Sequence, residues 1–282
     1  MPDDPLVTTE WLHEHLGDER VKVLDASWYL PGDPRDPHAD FIAAHIPGAR
    51  FFDVDEVCDQ DRPLPHMAPP PEQFAYQMGV LGLTGEDTIV VYDATGLFSA
   101  PRAWWTFRLF GHGKVFALDG GLPAWRAEGR PMEHGPVQAP SPVHFTVLPH
   151  PQILADLPQV RAALEGGGAQ VLDVRPAARF RGEAPEPRPG VRAGHMPGAV
   201  NLPVTALASS DGRLLPADEI AEALRQAGLD LHRPIITSCG SGIAASTAAM
   251  ALARLGVWDA AVYDGSWTEW GSRPDTPVVT GP

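Results

Sequence analysis

The sequence predicts an α/β fold in two similar halves, each a parallel sheet flanked by helices. Three observations predict it. Runs of β-type sequence alternate with helix-type runs along the chain, the pattern of parallel sheets covered by helices. Blocks of sequence also recur at offsets of 145 to 150 residues. Val23-Leu24-Asp25 returns as Val171-Leu172-Asp173, His45-Ile46-Pro47-Gly48-Ala49 as His195-Met196-Pro197-Gly198-Ala199, and Asp119-Gly120 with Trp125 as Asp264-Gly265 with Trp270. Repetition this even marks a duplicated domain of about 140 residues. Between the copies, Glu133 to Pro151 is rich in Pro and His and poor in periodic pattern. The expected organisation is a first domain at 1–135, a linker at 136–150 and a second domain at 151–282.

The elements follow in order. Thr8 or Thr9 caps a short helix to His15, with Trp11, Leu12 and His15 on one side. Val21 to Asp25 reads as a buried strand ending in a carboxylate. Asp40 to Ala44 reads as a short helix, and Pro47-Gly48 as a turn before Phe51-Phe52-Asp53-Val54-Asp55. A helix over Pro71 to Leu81 opens on proline and closes near Gly82. Thr88 to Asp93 is a strand, Ser99 to Phe110 an amphipathic helix stopped at Gly111, Val115 to Gly121 a strand and turn, and Leu122 to Glu128 a helix. In the second half, Gly166-Gly167-Gly168 turns a helix into a strand and lacks phosphate-loop spacing. Ile235 to Cys239 answers Ile89 to Asp93, and an Ala-rich helix spans Ile243 to Leu255.

Composition narrows the function classes. The chain of 282 residues is 44% hydrophobic, ordinary for globular domains, and its formal charge is −15. An acidic surface argues against nucleic acid and anionic membrane as partners. No apolar run reaches membrane-spanning length, and the start Met1-Pro2-Asp3-Asp4-Pro5 lacks the basic and apolar regions of a signal peptide. The two cysteines, Cys58 and Cys239, make no disulfide framework, so a reducing cytoplasm is expected. The histidines form no metal-site spacing with carboxylates, so no metal is expected.

The stretch that promises chemistry is Pro234 to Ser246. A strand runs into Cys239, glycines stand at 240 and 242, and a helix begins directly behind. Glycine loops turn N–H groups inward, and a helix N-terminus adds unpaired donors and partial positive charge, an environment that stabilises a thiolate or another anion. The bland alternative is a buried core cysteine. The first half has Asp93 where the second has Cys239, and its loop Ala94-Thr95-Gly96-Leu97-Phe98 carries no comparable nucleophile. One half is therefore expected to carry the reaction.

Cys239-Gly240-Ser241-Gly242-Ile243-Ala244 resembles the active-site loop of the 3-mercaptopyruvate sulfurtransferases. The two His-x-Pro-Gly-Ala blocks, Leu118-Asp119-Gly120-Gly121 and Tyr263-Asp264-Gly265-Ser266-Trp267 resemble tandem rhodanese domains, from about Leu24 to Trp270. In the thiosulfate-using branch the two residues after the cysteine are typically Arg and Lys, and here they are Gly240 and Ser241.

The resemblance implies a ping-pong sulfur transfer that needs no metal or organic cofactor. Cys239 takes sulfur from 3-mercaptopyruvate as a persulfide, pyruvate leaves, and a thiol, a thioredoxin-like dithiol or cyanide removes the sulfur. The loop N–H groups of Gly240, Ser241, Gly242, Ile243 and Ala244 would hold the sulfur anion. Arg179 and Arg188 match the family arginines that bind the substrate carboxylate and carbonyl, a task suited to forked guanidinium bonds. Ser241, His66 and Asp55 match a Ser-His-Asp proton relay.

Other residues are expected in plainer roles: His13 and His15 as surface groups, His45 and His195 tying down a turn, Cys58 as unreactive or merely surface-exposed, and Trp104, Trp105, Phe107 and Phe110 as helix core. Phe98 stands where the family usually has a tyrosine, leaving an apolar wall without its hydroxyl. A cysteine-dependent phosphatase would need an arginine where Ala245 stands. Thiosulfate:cyanide sulfur transfer is the runner-up activity, and a non-catalytic rhodanese scaffold the binding-module alternative.

Overall fold

The computed structural model describes residues 4–282. Two compact units make up the chain. The first holds the described residues up to Gln60, Ala68–His150 and Ser210–Leu214; the second holds Asp61–Met67, Pro151–Ser209 and Leu215–Pro282. Each unit thus takes a short segment from the other half of the sequence, which the pattern of repeats did not reveal.

The first unit runs β1 (Leu6–Val7), α1 (Thr9–His15), β2 (Val21–Asp25), α2 (Pro37–Ala43), β3 (Arg50–Phe51), α3 (Pro71–Val80), β4 (Thr88–Tyr92), α4 (Ala100–Leu109), β5 (Val115–Leu118) and α5 (Gly121–Ala127). The second runs β6 (Leu154–Ala155), α6 (Leu157–Leu164), β7 (Gln170–Asp173), α7 (Ala177–Phe180), β8 (Val200–Asn201), α8 (Ala217–Gln226), β9 (Ile235–Ser238), α9 (Ile243–Arg254), β10 (Ala261–Tyr263) and α10 (Ser266–Ser272). The sheets have the same all-parallel order, β1-β5-β4-β2-β3 and β6-β10-β9-β7-β8. Both are five-stranded and put β4 or β9 at the centre, the strands that end at Asp93 and Cys239.

Local chemistry sets the element ends. Thr8 caps α1, its hydroxyl accepting the N–H of Trp11. α2 starts earlier than expected because Asp36 accepts from His38 and Ala39 and Pro37 occupies the first turn. Every residue of α4 is buried, Trp104 and Trp105 included. The second unit packs Val171, Ile236, Tyr263, Trp267 and Trp270 as its core.

The two His-x-Pro-Gly-Ala turns are tied in the same way. His45 Nδ1 is 2.8 Å from Phe41 O and its ring stacks on Phe41. His195 Nδ1 is 2.8 Å from Phe180 O and its ring stacks on Phe180.

The segment 136–150, expected as a linker, instead lies along the first unit. Its backbone donates from Val143 to Gly79 O and from Leu148 to Phe110 O, and Phe145 is buried against Phe74 and Phe107. One buried aromatic in a Pro-rich stretch fixes it, a signal that periodicity does not register.

Candidate active site

Four buried residues of β9 deliver Cys239 to the C-terminal end of the central strand, where it is 4% exposed. The C-terminal edge of a parallel sheet is where ligands of such folds bind. Gly242 precedes α9 with φ of 84°, a left-handed conformation that glycine adopts without steric cost. Ile243 opens the helix, buried, and Ala244 follows half-buried. The cysteine therefore sits one tight turn ahead of a twelve-residue helix.

A second loop braces the turn. Cys239 N donates to Ser266 Oγ at 3.3 Å, and Ser266 Oγ donates to Tyr263 O at 2.7 Å. Trp267 N donates to Cys239 O, while Thr268 N and Oγ1 both donate to Gly240 O. Ser266 holds φ of 48°, uncommon for a residue with a side chain. Sequence reasoning quoted Tyr263 to Trp267 only as part of a resemblance; Ser266 and Thr268 as supports were missed. The repeated Asp-Gly pair beside them was the available signal.

Two guanidinium groups converge beside the loop. A methyl group built on Gly240 would lie 3.5 Å from Arg179 Nη2 and 4.0 Å from Arg188 Nη1. Gly240 thus leaves the arginine tips room next to the cysteine. Arg179 is held by Glu186, whose Oε2 accepts both Arg179 Nε, at 3.2 Å, and Arg179 Nη2. Glu186 Oε1 in turn accepts Arg175 Nη1 at 2.9 Å. Arg175 is itself buried, bonded to Asp173 and to Gly194 O, with its guanidinium 4.1 Å from the Trp267 ring centroid. This chain orients Arg179 in advance; Glu186 and Arg175 were not anticipated.

Ser241 and His66 meet. His66 Nδ1 lies 3.0 Å from Ser241 Oγ, and both residues are buried in the second unit. His66 has φ of 61°, a sparsely occupied conformation that neighbouring structure must hold in place. Asp55 belongs to the first unit, is exposed, and its carboxylate accepts Trp28 Nε1 at 3.0 and 3.1 Å.

The first unit shows what this architecture does with an anion. Asp93 is fully buried at the end of β4. Its Oδ2 accepts the N–H groups of Phe98, Ser99 and Ala100 at 2.8 to 2.9 Å, and its Oδ1 accepts Thr95 N and Oγ1, both at 2.9 Å. The strand–loop–helix turn is an anion nest that this repeat fills with its own carboxylate.

Two expectations need correction. Cys58 is not surface-exposed: it is buried, and its thiol donates to Asp55 O at 2.9 Å. His15 is half-buried, with its ring stacked on Trp11 and Nδ1 2.7 Å from Trp11 O. The i, i+4 spacing of the two, which put them on one side, also lets the rings stack. Among the described residues, no cluster of three or more His, Cys, Asp or Glu could hold a metal ion, and no helix is long and apolar enough to cross a membrane.

Residues 8–128 and 156–273 each match the rhodanese-like domain family. The 3-mercaptopyruvate sulfurtransferase of Escherichia coli (strain K12) is 43% identical, over 96% of each chain. Thiosulfate/3-mercaptopyruvate sulfurtransferase 1 of Arabidopsis thaliana, a mitochondrial protein, is also 43% identical, over 98% of this chain and 78% of its own. The crystal structure of SseA from Escherichia coli superposes with a TM-score of 0.86 at 40% identity, over 94% of this chain and 99% of that one.

Proposed function

The chain belongs to the rhodanese family, in the tandem-domain form of the 3-mercaptopyruvate sulfurtransferases, and from that premise we propose that it moves the sulfur of 3-mercaptopyruvate to a thiol through a persulfide on Cys239. The observation that carries the reading is the meeting, beside Gly240, of Arg179 and Arg188 with a cysteine at the head of a helix. That is a nucleophile, an anion nest and two cations in reach of one small α-keto acid.

The Cys239 thiolate attacks the substrate sulfur. An S–S bond forms, the S–C3 bond breaks, and its electron pair leaves as the enolate of pyruvate. The Arg179 and Arg188 guanidinium groups hold the carboxylate and the keto oxygen on which the enolate charge develops. Ser241 and His66 pass the substrate thiol proton to the enolate C3, giving pyruvate and leaving an anionic outer sulfur. The N–H groups of Gly240 to Ala244 take that anion as the Asp93 nest takes a carboxylate. Asp55 is the third member of the proposed relay. An acceptor thiolate, a thioredoxin-like dithiol for instance, then attacks the outer sulfur and returns Cys239. A reducing compartment such as the cytosol suits this working thiol. The first unit, with Asp93 in the cysteine position, carries no persulfide.

Thiosulfate is the second donor considered, because the Arabidopsis relative is named for both. Gly240 and Ser241 add no cation for a dianion, which favours 3-mercaptopyruvate. The test is intact-protein mass after brief exposure to each donor without acceptor. A gain of about 32 Da on Cys239 from 3-mercaptopyruvate, removed by a dithiol, is the expected result. A gain from thiosulfate alone would overturn the substrate, and silence with both would overturn the enzyme reading.

A further inference from the structure

The two repeats differ beyond the ends of β2 and β7, and the first unit's side of that difference plays no part in the proposed transfer. In the second unit, the space beyond the end of β7 is filled by the Arg175 side chain. Its guanidinium makes a forked contact with Asp173, bonds Gly194 O at 2.9 Å and Glu186 Oε1 at 2.9 Å, and packs on Trp267. By the repeat, Asp25 corresponds to Asp173, Ser27 to Arg175, Ala44 to Gly194 and Leu122 to Trp267. The first unit keeps two of the acceptors, as Asp25 and the Ala44 carbonyl, and lacks both large side chains. A cavity of about 210 Å³ remains there, lined among others by Asp25, Ser27, Ala44 and Leu122, with a second carboxylate, Asp40, on its wall.

Asp25 is 2% exposed, and its carboxylate accepts Ser27 N at 2.9 Å. The Ser27 and Tyr92 hydroxyls also bond it, and Asp93 repels it. Burial lifts its carboxyl to about 6. Two arginines stand at the cavity, each otherwise engaged. Arg35 forks onto Asp33 and lies over the Tyr29 ring. Arg126 is exposed and donates to Ala44 O at 3.3 Å.

We propose that the cavity of the first unit is a binding site for a small molecule carrying a guanidinium group on a slim stem, seated on Asp25 as Arg175 is seated on Asp173. The stem lies against Phe41 and Leu122, and an anionic far end of the ligand faces Arg126. The lining residues all belong to the first unit, and the site is independent of the proposed transfer reaction.

Calorimetric titration of the full chain with L-arginine tests it, with L-citrulline as the neutral isostere. The expected result is saturable binding of one arginine per chain, with citrulline at least about tenfold weaker, the loss appropriate to a charge-assisted pair. Two variants locate the site. Asp25→Asn removes the counter-charge, and Ser27→Arg restores the side chain that fills the other repeat; each is expected to lower arginine affinity about tenfold or more. Circular dichroism and sulfur-transfer activity confirm that each variant is folded. Absence of saturable binding to the parent protein would overturn the proposal, as would equal binding of citrulline. Binding that survives Ser27→Arg in a folded protein would also overturn it, because that cavity would then be closed.

Discussion

His66 Nδ1 lies 3.0 Å from Ser241 Oγ, although the two stand 175 residues apart in the chain. A hydroxyl and an imidazole in this contact can relay a proton, and 3-mercaptopyruvate carries a thiol proton to be moved. Ser241→Ala and His66→Gln are each expected to lower kcat for 3-mercaptopyruvate by about 10²-fold or more. Thiosulfate has no such proton, so any turnover with it should fall far less. Equal losses with both donors would reduce the pair to a structural contact.

Cys239→Ser is expected to abolish persulfide formation, measured as the mass gain from donor alone. Cys58→Ser should leave the gain intact, since that thiol is buried and donates to Asp55 O. Equal loss in both variants would displace the nucleophile from Cys239.

Arg188→Gln and Arg179→Gln should each weaken 3-mercaptopyruvate by about tenfold or more in kcat/KM, the scale of a lost charge-assisted bond. Glu186→Gln tests whether Arg179 must be oriented in advance. It loosens the pair with Arg179 Nε and Nη2 while leaving the guanidinium in place. A smaller loss, carried mainly by KM, is the expected signature in initial-rate kinetics.

Asp93→Ala would empty the nest of the first unit and leave four backbone N–H groups and the Thr95 hydroxyl without their acceptor. Orphaned donors at a helix start are costly, and a loss of about 2 kcal/mol or more is expected in denaturant unfolding. A neutral result would mean that water replaces the carboxylate there.

Asp25 should make stability depend on pH. Its carboxyl titrates near 6 when folded and near 3.8 when exposed. Between those values the folded protein holds a proton that the unfolded chain has released. The contribution to stability is therefore favourable below about pH 4 and is lost as pH rises through 6. The full difference is on the order of 3 kcal/mol. Asp25→Asn is expected to raise Tm relative to the parent at pH 8 and to give little gain at pH 4; thermal unfolding at both values checks it.

The fold was legible because duplication wrote it twice. Strand ends at Asp25 and Asp173, the two histidine turns and the paired Asp-Gly loops fix the same sheet order in both units. Cys239 and its glycines were legible because the turn geometry is local: Gly242 needs positive φ, and a helix must start at once. The Arg175–Glu186–Arg179 chain was not legible. Its members are ordinary charges in a loop until packing buries Arg175 and Glu186 together. Ser266 was obscured for the same reason, since its part depends on a contact with Cys239 N across 27 residues. Composition marks the segment 136–150 as a linker, whereas buried Phe145 and backbone hydrogen bonds from Val143, Leu148 and His150 hold it on the first unit.

The exchange of short segments has an evolutionary consequence. His66 is encoded in the first half of the gene yet belongs to the unit that holds Cys239, and residues 210–214 make the reciprocal trade. A fragment cut at the midpoint would inherit the nucleophile without the imidazole. Fission at that point would part each unit from a segment packed into it, Ser241 from His66 among them.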